Sequence, residues 1–333
     1  MSKSTVSNVV RGAEDVSEAT RARVQDAIER LNYKPNAIAR QFVQQRTTML
    51  GVLVGDLSNP YYAQMAQVVE RAAFGRGYTT MFCNIEGARE PALRGVEALL
   101  QHRVAGIVFL AFVARTEELD MALQRADIPI VFLGLSEPWG DSVGPRDRRG
   151  GGLAAEHLLA LGHRRIAYVR TPLVEASGDR ARHDGYRAAL RRAGVPALPV
   201  HGWTPGADVI TVGRESQKLC AVLHGREAPT AVFVSNDIGA IAFIEACERL
   251  GRSVPGDISV VGFDDIAIAG LQRISLTTIA QSFDAQAERA VGLLLERIEN
   301  PRLGPRHENA DVQLRVRGST AAPEARRRKG AAA

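Results

Sequence analysis

From Met49 onward, short apolar runs alternate with longer stretches of mixed apolar and polar residues. The runs are Met49–Gly55, Thr79–Cys83, Gly106–Leu110, Ile130–Leu133, Ile166–Val169, Ala231–Val234 and Ile258–Gly262. Each has strand length and is apolar at consecutive positions, the pattern of a strand buried on both faces. Amphipathic stretches at Tyr61–Gly75, Ala92–Gln101, Gly151–Leu161, Arg182–Ala193, Ile238–Leu250 and Phe283–Glu299 predict helices between them. Such alternation predicts an α/β body of doubly wound parallel sheets. About 270 residues is long for one such sheet and comfortable for two. Ligands of these folds sit at the carboxyl ends of strands, so two facing sheets place a ligand in the cleft between lobes. Polar clusters stand at those ends: Asp56, Ser58, Asn59 and Tyr61; Ser235-Asn236-Asp237; and Asp264-Asp265. Taken singly, each reads as a helix cap or turn. Several at one edge point to binding. Gly150-Gly151-Gly152 reads as a helix-start loop without the spacing of a dinucleotide fingerprint.

Before Met49 the pattern changes. Val6, Val9 and Val10 form one narrow apolar stripe between Ser2, a cap, and Gly12, a stop. Lys3, Ser4, Ser7, Asn8 and Arg11 occupy the other face, side-chain types that contact phosphates and base edges. Ser17 caps a second helix with Val24, Ala27, Ile28 and Leu31 inward, and Tyr33-Lys34-Pro35-Asn36 ends it. Two helices with so few apolar residues need something else to pack on. A third segment, Asn36–Val43, is about two turns long, and helices that short are marginal in water. Docking on DNA or on a second copy would order it.

Charge and composition narrow the classes. The net charge is +5 over 333 residues, with eight Lys or Arg against five Asp or Glu in residues 1–47. The run Arg326, Arg327, Arg328, Lys329 reads as part of a solvated tail. Cys83, Cys220 and Cys247 show no metal or disulfide spacing, so a reducing cytoplasm is expected. No transmembrane run or secretory signal is seen. A nucleophile elbow, a phosphate-cradling loop, a dinucleotide glycine fingerprint and a zincin motif are all missing, so no enzyme, metal or cofactor is expected.

Three motifs in the first forty residues occur in order: Ser-Lys-Ser-Thr-Val-Ser-Asn-Val-Val-Arg-Gly, Val-Ser-x-x-Thr-Arg with Leu-x-Tyr-x-Pro-Asn, and Ala-x-Ala-Arg. Together they resemble the head of the LacI/GalR family of repressors. The resemblance implies that the first helix is the recognition helix of a helix-turn-helix, with Lys3, Ser4, Thr5, Ser7 and Asn8 on DNA. It implies a hinge helix with Asn36, Ala37 and Arg40 on DNA. Phe42 stands where the family usually has Leu as the minor-groove wedge. The family head has an earlier helix, and this chain starts after it. Met1 stands where the family has Val, which suggests an internal GTG read as the start.

The resemblance continues through Ser58-Asn59-Pro60-Tyr61-Tyr62-Ala63, Glu156-His157-Leu158 with Leu161-Gly162-His163, Arg182 with Gly185-Tyr186, Ser235-Asn236-Asp237 and Val261-Gly262-Phe263-Asp264-Asp265. It implies a two-lobed body like that of periplasmic binding proteins behind a small, partial all-α head. The implied effector contacts are Tyr61, Asp147, Arg182, Trp203, Asn236 and Asp264. Arg182 offers a fork of donors, Asp264 and Asn236 meet hydroxyls, and Trp203 gives a flat face for stacking. His157 and His163 are expected to be structural, capping the helix end. Expected boundaries are 1–34 for the head, 35–47 for the hinge and 48–318 for the body. Within the body, one lobe takes 48–148 and 281–306, the other 149–280 and 307–318, leaving 319–333 as a disordered tail. Operator DNA, a sugar-like effector and a second copy are the implied partners, with no membrane. The alternative is a cytoplasmic effector-binding module that has lost DNA binding.

Overall fold

The computed structural model describes residues 3–10, 16–31, 47–86, 88–111, 117–134, 138–170, 177–202 and 228–323. It contains two compact units, Met1–Thr48 and Met49–Ala333. In the first, helices α1 (Lys3–Val10) and α2 (Glu18–Arg30) carry the buried side chains Val9 and Val24. Ser17 precedes α2 but accepts no backbone cap bond; its hydroxyl lies 2.9 Å from that of Thr20. The expected caps Ser2 and Gly12, and the hinge residues Asn36, Ala37, Arg40 and Phe42, lie outside the described residues.

The second unit is built on two six-stranded sheets. One contains β1 (Met49–Val54), β2 (Thr79–Asn84), β3 (Gly106–Leu110), β4 (Ile130–Leu133), β5 (Asp141–Pro145) and β11 (His307–Ala310), in the order β11-β5-β4-β3-β1-β2. The other contains β6 (Ile166–Arg170), β7 (Val200–Gly202), β8 (Ala231–Val234), β9 (Ser259–Asp264), β10 (Thr277–Gln281) and β12 (Val312–Arg315), in the order β12-β10-β9-β8-β6-β7. Helices α3 (Pro60–Phe74), α4 (Arg89–Gln101), α5 (Glu117–Arg125) and α9 (Phe283–Glu299) belong with the first sheet; α6 (Asp147–Ala160), α7 (Ser177–Arg192) and α8 (Asp237–Arg249) belong with the second. The central strands β1, β3, β4, β8 and β9 are almost wholly buried, as their continuous apolar runs require.

Several expectations change. Strands β5, β7, β10, β11 and β12 had no apolar run to announce them, because they are short and polar: Asp141-Ser142, Thr277-Thr278, His307-Glu308. Not every strand is parallel, since β12 runs antiparallel to β10. His307–Ala310, expected in the second lobe, pairs with β5 in the first. The expected tail begins too early, because Ser319 is buried and donates to the Val260 carbonyl at 2.6 Å. His157 and His163 do not cap a helix with their rings. His163 Nε2 donates to the Ala321 carbonyl at 2.9 Å, so Nδ1 accepts from Thr230 at 2.9 Å, and His157 Nε2 meets Thr320 at 3.0 Å. Both pin residues 319–321 onto the second lobe. Gly150, Gly151 and Gly152 are inside α6 and buried, rather than in a loop before it.

Among the described residues the chain passes between lobes three times, at β5–α6, β10–α9 and β11–β12. Arg146 ties two crossings together, with its N–H on the Ala310 carbonyl and its guanidinium on Asp311, both at 2.9 Å. Ser282 ties in the third by donating to the Asp311 carbonyl at 3.1 Å. Beside them, buried Asp141 accepts both Arg297 Nε and Nη2 at 2.8 Å and the Arg306 backbone N–H at 2.9 Å. Burial opposes its charge, but the two arginines outweigh that and hold its pKa down from 3.8 to about 2. A carboxyl lowered on folding stabilises above its unfolded pKa, and that stability is lost as pH falls through the folded value. Asp141→Asn is therefore expected to lower unfolding free energy by about 2–3 kcal/mol at pH 7. In urea titrations the difference should shrink between about pH 4 and pH 2; a deficit that persists at pH 2 would mean lost packing instead.

Candidate functional site

The site begins with two glycines. A Cβ on Gly151 would lie 1.9 Å from the Arg182 carbonyl oxygen, and one on Gly185 would lie 1.9 Å from that of Arg148. Without side chains at those points, α6 and α7 cross backbone to backbone. That contact brings the first turn of α6 against the side of α7, and with it Asp147 against Arg182. Arg182 Nε donates to Asp147 Oδ1 at 2.7 Å, and Nη1 donates to the Ser235 carbonyl at 2.5 Å. The guanidinium carbon lies 3.6 Å from the centroid of the Phe263 ring. A planar cation suits this position because its edge donates while its face stacks.

Asp264 ends β9 with φ of +131°, a strained conformation for a residue with a side chain, and Asp265 follows at +61°. It is buried, and its Oδ1 accepts from Gln281 Nε2 at 2.6 Å. Burial drives its pKa well above the ordinary carboxyl range, against the pull of Arg182. Burial also raises Asp147, again opposed by Arg182, and brings Asp237 up to about 7. For Arg182, burial works against the charge, but Asp147 and then Asp264 hold its pKa above the ordinary value. From the other lobe comes Tyr61, in the first turn of α3, its hydroxyl pKa raised by burial and then by Asp264. Its ring meets Phe283 edge to face, with centroids 5.7 Å apart. Gln64 on the same helix accepts from the Ala267 N–H at 3.1 Å, linking the lobes.

Four of the six expected effector residues therefore come together: Tyr61, Asp147, Arg182 and Asp264. Asn236 acts as the cap of α8, its Oδ1 accepting from the Gly239 N–H at 2.9 Å. Trp203 lies outside the described residues. The residues that sequence reasoning missed are Gln281, Phe263, Phe283 and the Ser235 carbonyl. Backbone groups and pieces of core carry no motif. The Gly150–Gly152 run was a signal for close helix approach, but its place inside a helix had to be seen. A cavity of about 660 Å³ opens on the flank of this cluster, lined by Pro145, Asp147, Arg148, Gly178 and His307 among others. It reaches Asp147 but not Tyr61, Arg182 or Asp264, so it borders the cluster rather than containing it.

In the head, Thr5 and Asn8 are half-buried on α1, while the side chains of Lys3, Ser4 and Ser7 lie outside the described set. No helix among the described residues is long and apolar enough to cross a membrane.

Residues 1–36 match the model of bacterial regulatory proteins of the lacI family, and residues 155–320 match a periplasmic binding protein-like domain. The ribose operon repressor of Escherichia coli (strain K12) is 35% identical over 321 residues, covering 96% of each chain. This chain belongs to the lacI family of regulatory proteins. Among solved structures, the lac repressor dimer bound to operator and the anti-inducer ONPF superposes with a TM-score of 0.82 at 29% identity. That match covers 97% of this chain and 96% of the other. A LacI family transcriptional regulator from Enterococcus faecium with bound ribose gives a TM-score of 0.70 at 27% identity, over 82% of this chain and 99% of that one. The family architecture accounts for the α/β fold, two lobes on two sheets that follow a helical head in the sequence.

Proposed function

We propose that this protein is a transcriptional repressor whose affinity for operator DNA is set by a small polyhydroxy effector, a pentose such as ribose, bound between the lobes. The carrying observation is Arg182, its side chain only 12% exposed and clamped between Asp147 and the Ser235 carbonyl with Asp264 beside it. One cation between buried Asp264 and the largely enclosed Asp147 offers both donors and acceptors, which suits a neutral ligand rich in hydroxyls. Tyr61 closes the site from the first lobe, and Trp203 supplies a stacking face. Asn236 is assigned to the site through the family, alongside its capping bond. A relative named for the ribose operon and a similar regulator holding ribose support the pentose class.

The DNA-reading surface is α1, with Lys3, Ser4, Thr5, Ser7 and Asn8 toward the major groove. Asn36, Ala37, Arg40 and the Phe42 wedge take the minor groove. Two copies read a pseudo-palindromic site, as the lac repressor dimer is bound to its operator. The protein works in the cytoplasm and catalyses nothing; its relatives are named as repressors rather than enzymes. Effector and operator shift each other's affinity by one common factor.

The test uses the full chain and a labelled duplex that the chain selects from a random DNA library. Anisotropy titrations at fixed salt, with and without D-ribose, are expected to give operator affinities that differ by about tenfold or more. If no duplex is selected, the DNA assignment fails. Should the affinity stay constant with ribose and with the other common pentoses, the effector assignment fails.

A further inference from the structure

Three buried amide and carboxyl groups form a line behind the effector cluster. Gln281 Nε2 donates to Asp264 Oδ1 at 2.6 Å, and Gln286 Nε2 donates to Gln281 Oε1 at 3.2 Å. Gln286 is fully buried, and its own Oε1 has no hydrogen-bond partner among the described residues. The direction of the line follows from Asp264. Gln281 turns its NH₂ toward Oδ1, which accepts in either protonation state, and its oxygen away toward Gln286. That oxygen then needs a donor, and Gln286 supplies one at the expense of leaving its own oxygen unmatched. A buried acceptor without a partner costs stability, and an apolar side chain of similar size would remove that cost. A purely structural demand at position 286 would therefore be met better by Leu or Met.

The three residues also belong to different parts of the body. Asp264 ends β9 of the second lobe, Gln281 ends β10 at the crossing, and Gln286 lies in the first turn of α9, which packs with the first lobe. We propose that Gln286 is a positioning residue for effector binding: through Gln281 it fixes the Asp264 carboxyl by way of Oδ1, and it ties the placement of that acid to the arrangement of the lobes. The proposal rests on the effector reading of the Asp264 cluster given above. A movement of α9 relative to β10 loosens Gln281, and the acid is then held less firmly at the site. By reciprocity, a ligand that holds Asp264 favours the arrangement in which the line is intact.

Gln286→Leu separates this role from a structural one, with Gln286→Met as the repeat should the branched side chain not fit. The expected midpoint in urea is equal to or above that of the wild type, since the unmatched oxygen is gone. D-ribose affinity by calorimetry falls on the order of tenfold, the loss of one buried hydrogen bond to Gln281 transmitted to Asp264. The acid limb of the ribose-binding pH profile moves to higher pH, because Asp264 loses part of the donor that favours its charged form. A mere packing role moves neither the profile nor the affinity at constant stability. Unchanged affinity and an unmoved acid limb in both variants overturn the proposal.

Should wild-type protein bind no ribose, the effector reading fails separately. The line is then judged by a double-mutant cycle on unfolding with Gln286→Leu and Asp264→Asn. Non-additive effects keep the connection between positions 286 and 264, and additive ones overturn it.

Discussion

Arg182→Ala is expected to abolish the effector response while leaving operator binding at wild-type strength. The guanidinium holds Asp147 through Nε and the Ser235 carbonyl through Nη1, and its face rests on Phe263. Alanine removes the cation around which Asp147 and Asp264 are arranged, together with every donor that Arg182 offers to a ligand. A loss of effector affinity of at least about 100-fold follows from two charge-assisted hydrogen bonds. Removing one member of a buried ion pair also destabilises, by about 3–5 kcal/mol in a rigid site. Here the cost is smaller, because burial already pushes the Asp147 carboxyl toward its neutral form. Arg182→Lys tests the fork separately from the charge: it should restore stability but not the response, since an ammonium cannot bridge and stack together. The measurement is anisotropy on operator DNA across an effector titration, after circular dichroism has shown the variant folded. Equal sensitivity to effector in Arg182→Ala would remove Arg182 from the site.

The second large effect concerns backbone contact. Gly151→Ala and Gly185→Ala each place a methyl group 1.9 Å from a carbonyl oxygen of the facing helix. Neither oxygen belongs to a flexible side chain, so α6 and α7 must separate by more than an ångström. The expected loss is about 3 kcal/mol or more for each, at the upper end for overpacked positions. Gly292→Ala on α9 is the control, because a Cβ there meets only the end of Arg289 at 3.7 Å. It should be neutral or stabilising by up to about 1 kcal/mol, as alanine favours a helix over glycine. Urea midpoints decide the matter. If Gly151→Ala matches wild type, the crossing is looser than this geometry. Any residual folded fraction of either crossing variant should also respond poorly to effector, because the crossing sets the distance between Asp147 and Arg182.

Periodicity alone located the central strands and most of the helices. Gly106–Leu110, Ile130–Leu133, Ala231–Val234 and Phe283–Glu299 match their observed bounds. Those elements are legible because burial on both faces, or on one helical face, imposes a composition that few other structures share. Edge and crossing strands escaped because their side chains are largely polar, whether half-exposed as in β11 or buried as in β5 and β10. Asp141, Thr277 and His307 begin strands whose residues do not differ from those of a loop. The antiparallel pairing of β12 with β10, and the division of β11 and β12 between sheets, depend on where the crossings meet, which no local pattern encodes.

The chain's own order of residues determined the family, the α/β class, the division into head and body, and four members of the buried cluster. Motifs at fixed spacing carry that information because each marks a local turn, cap or strand end that recurs wherever the fold does. Only the tertiary structure decided how those members are used. It placed Asn236 as a helix cap, put Phe263 beneath Arg182, and drew Gln281 and Gln286 into line behind Asp264. It also placed three glycines of a presumed loop inside a helix, with Gly151 at the crossing with α7. These facts concern distances between residues far apart in sequence, and distance is set by packing, which the order of residues specifies only through the whole fold.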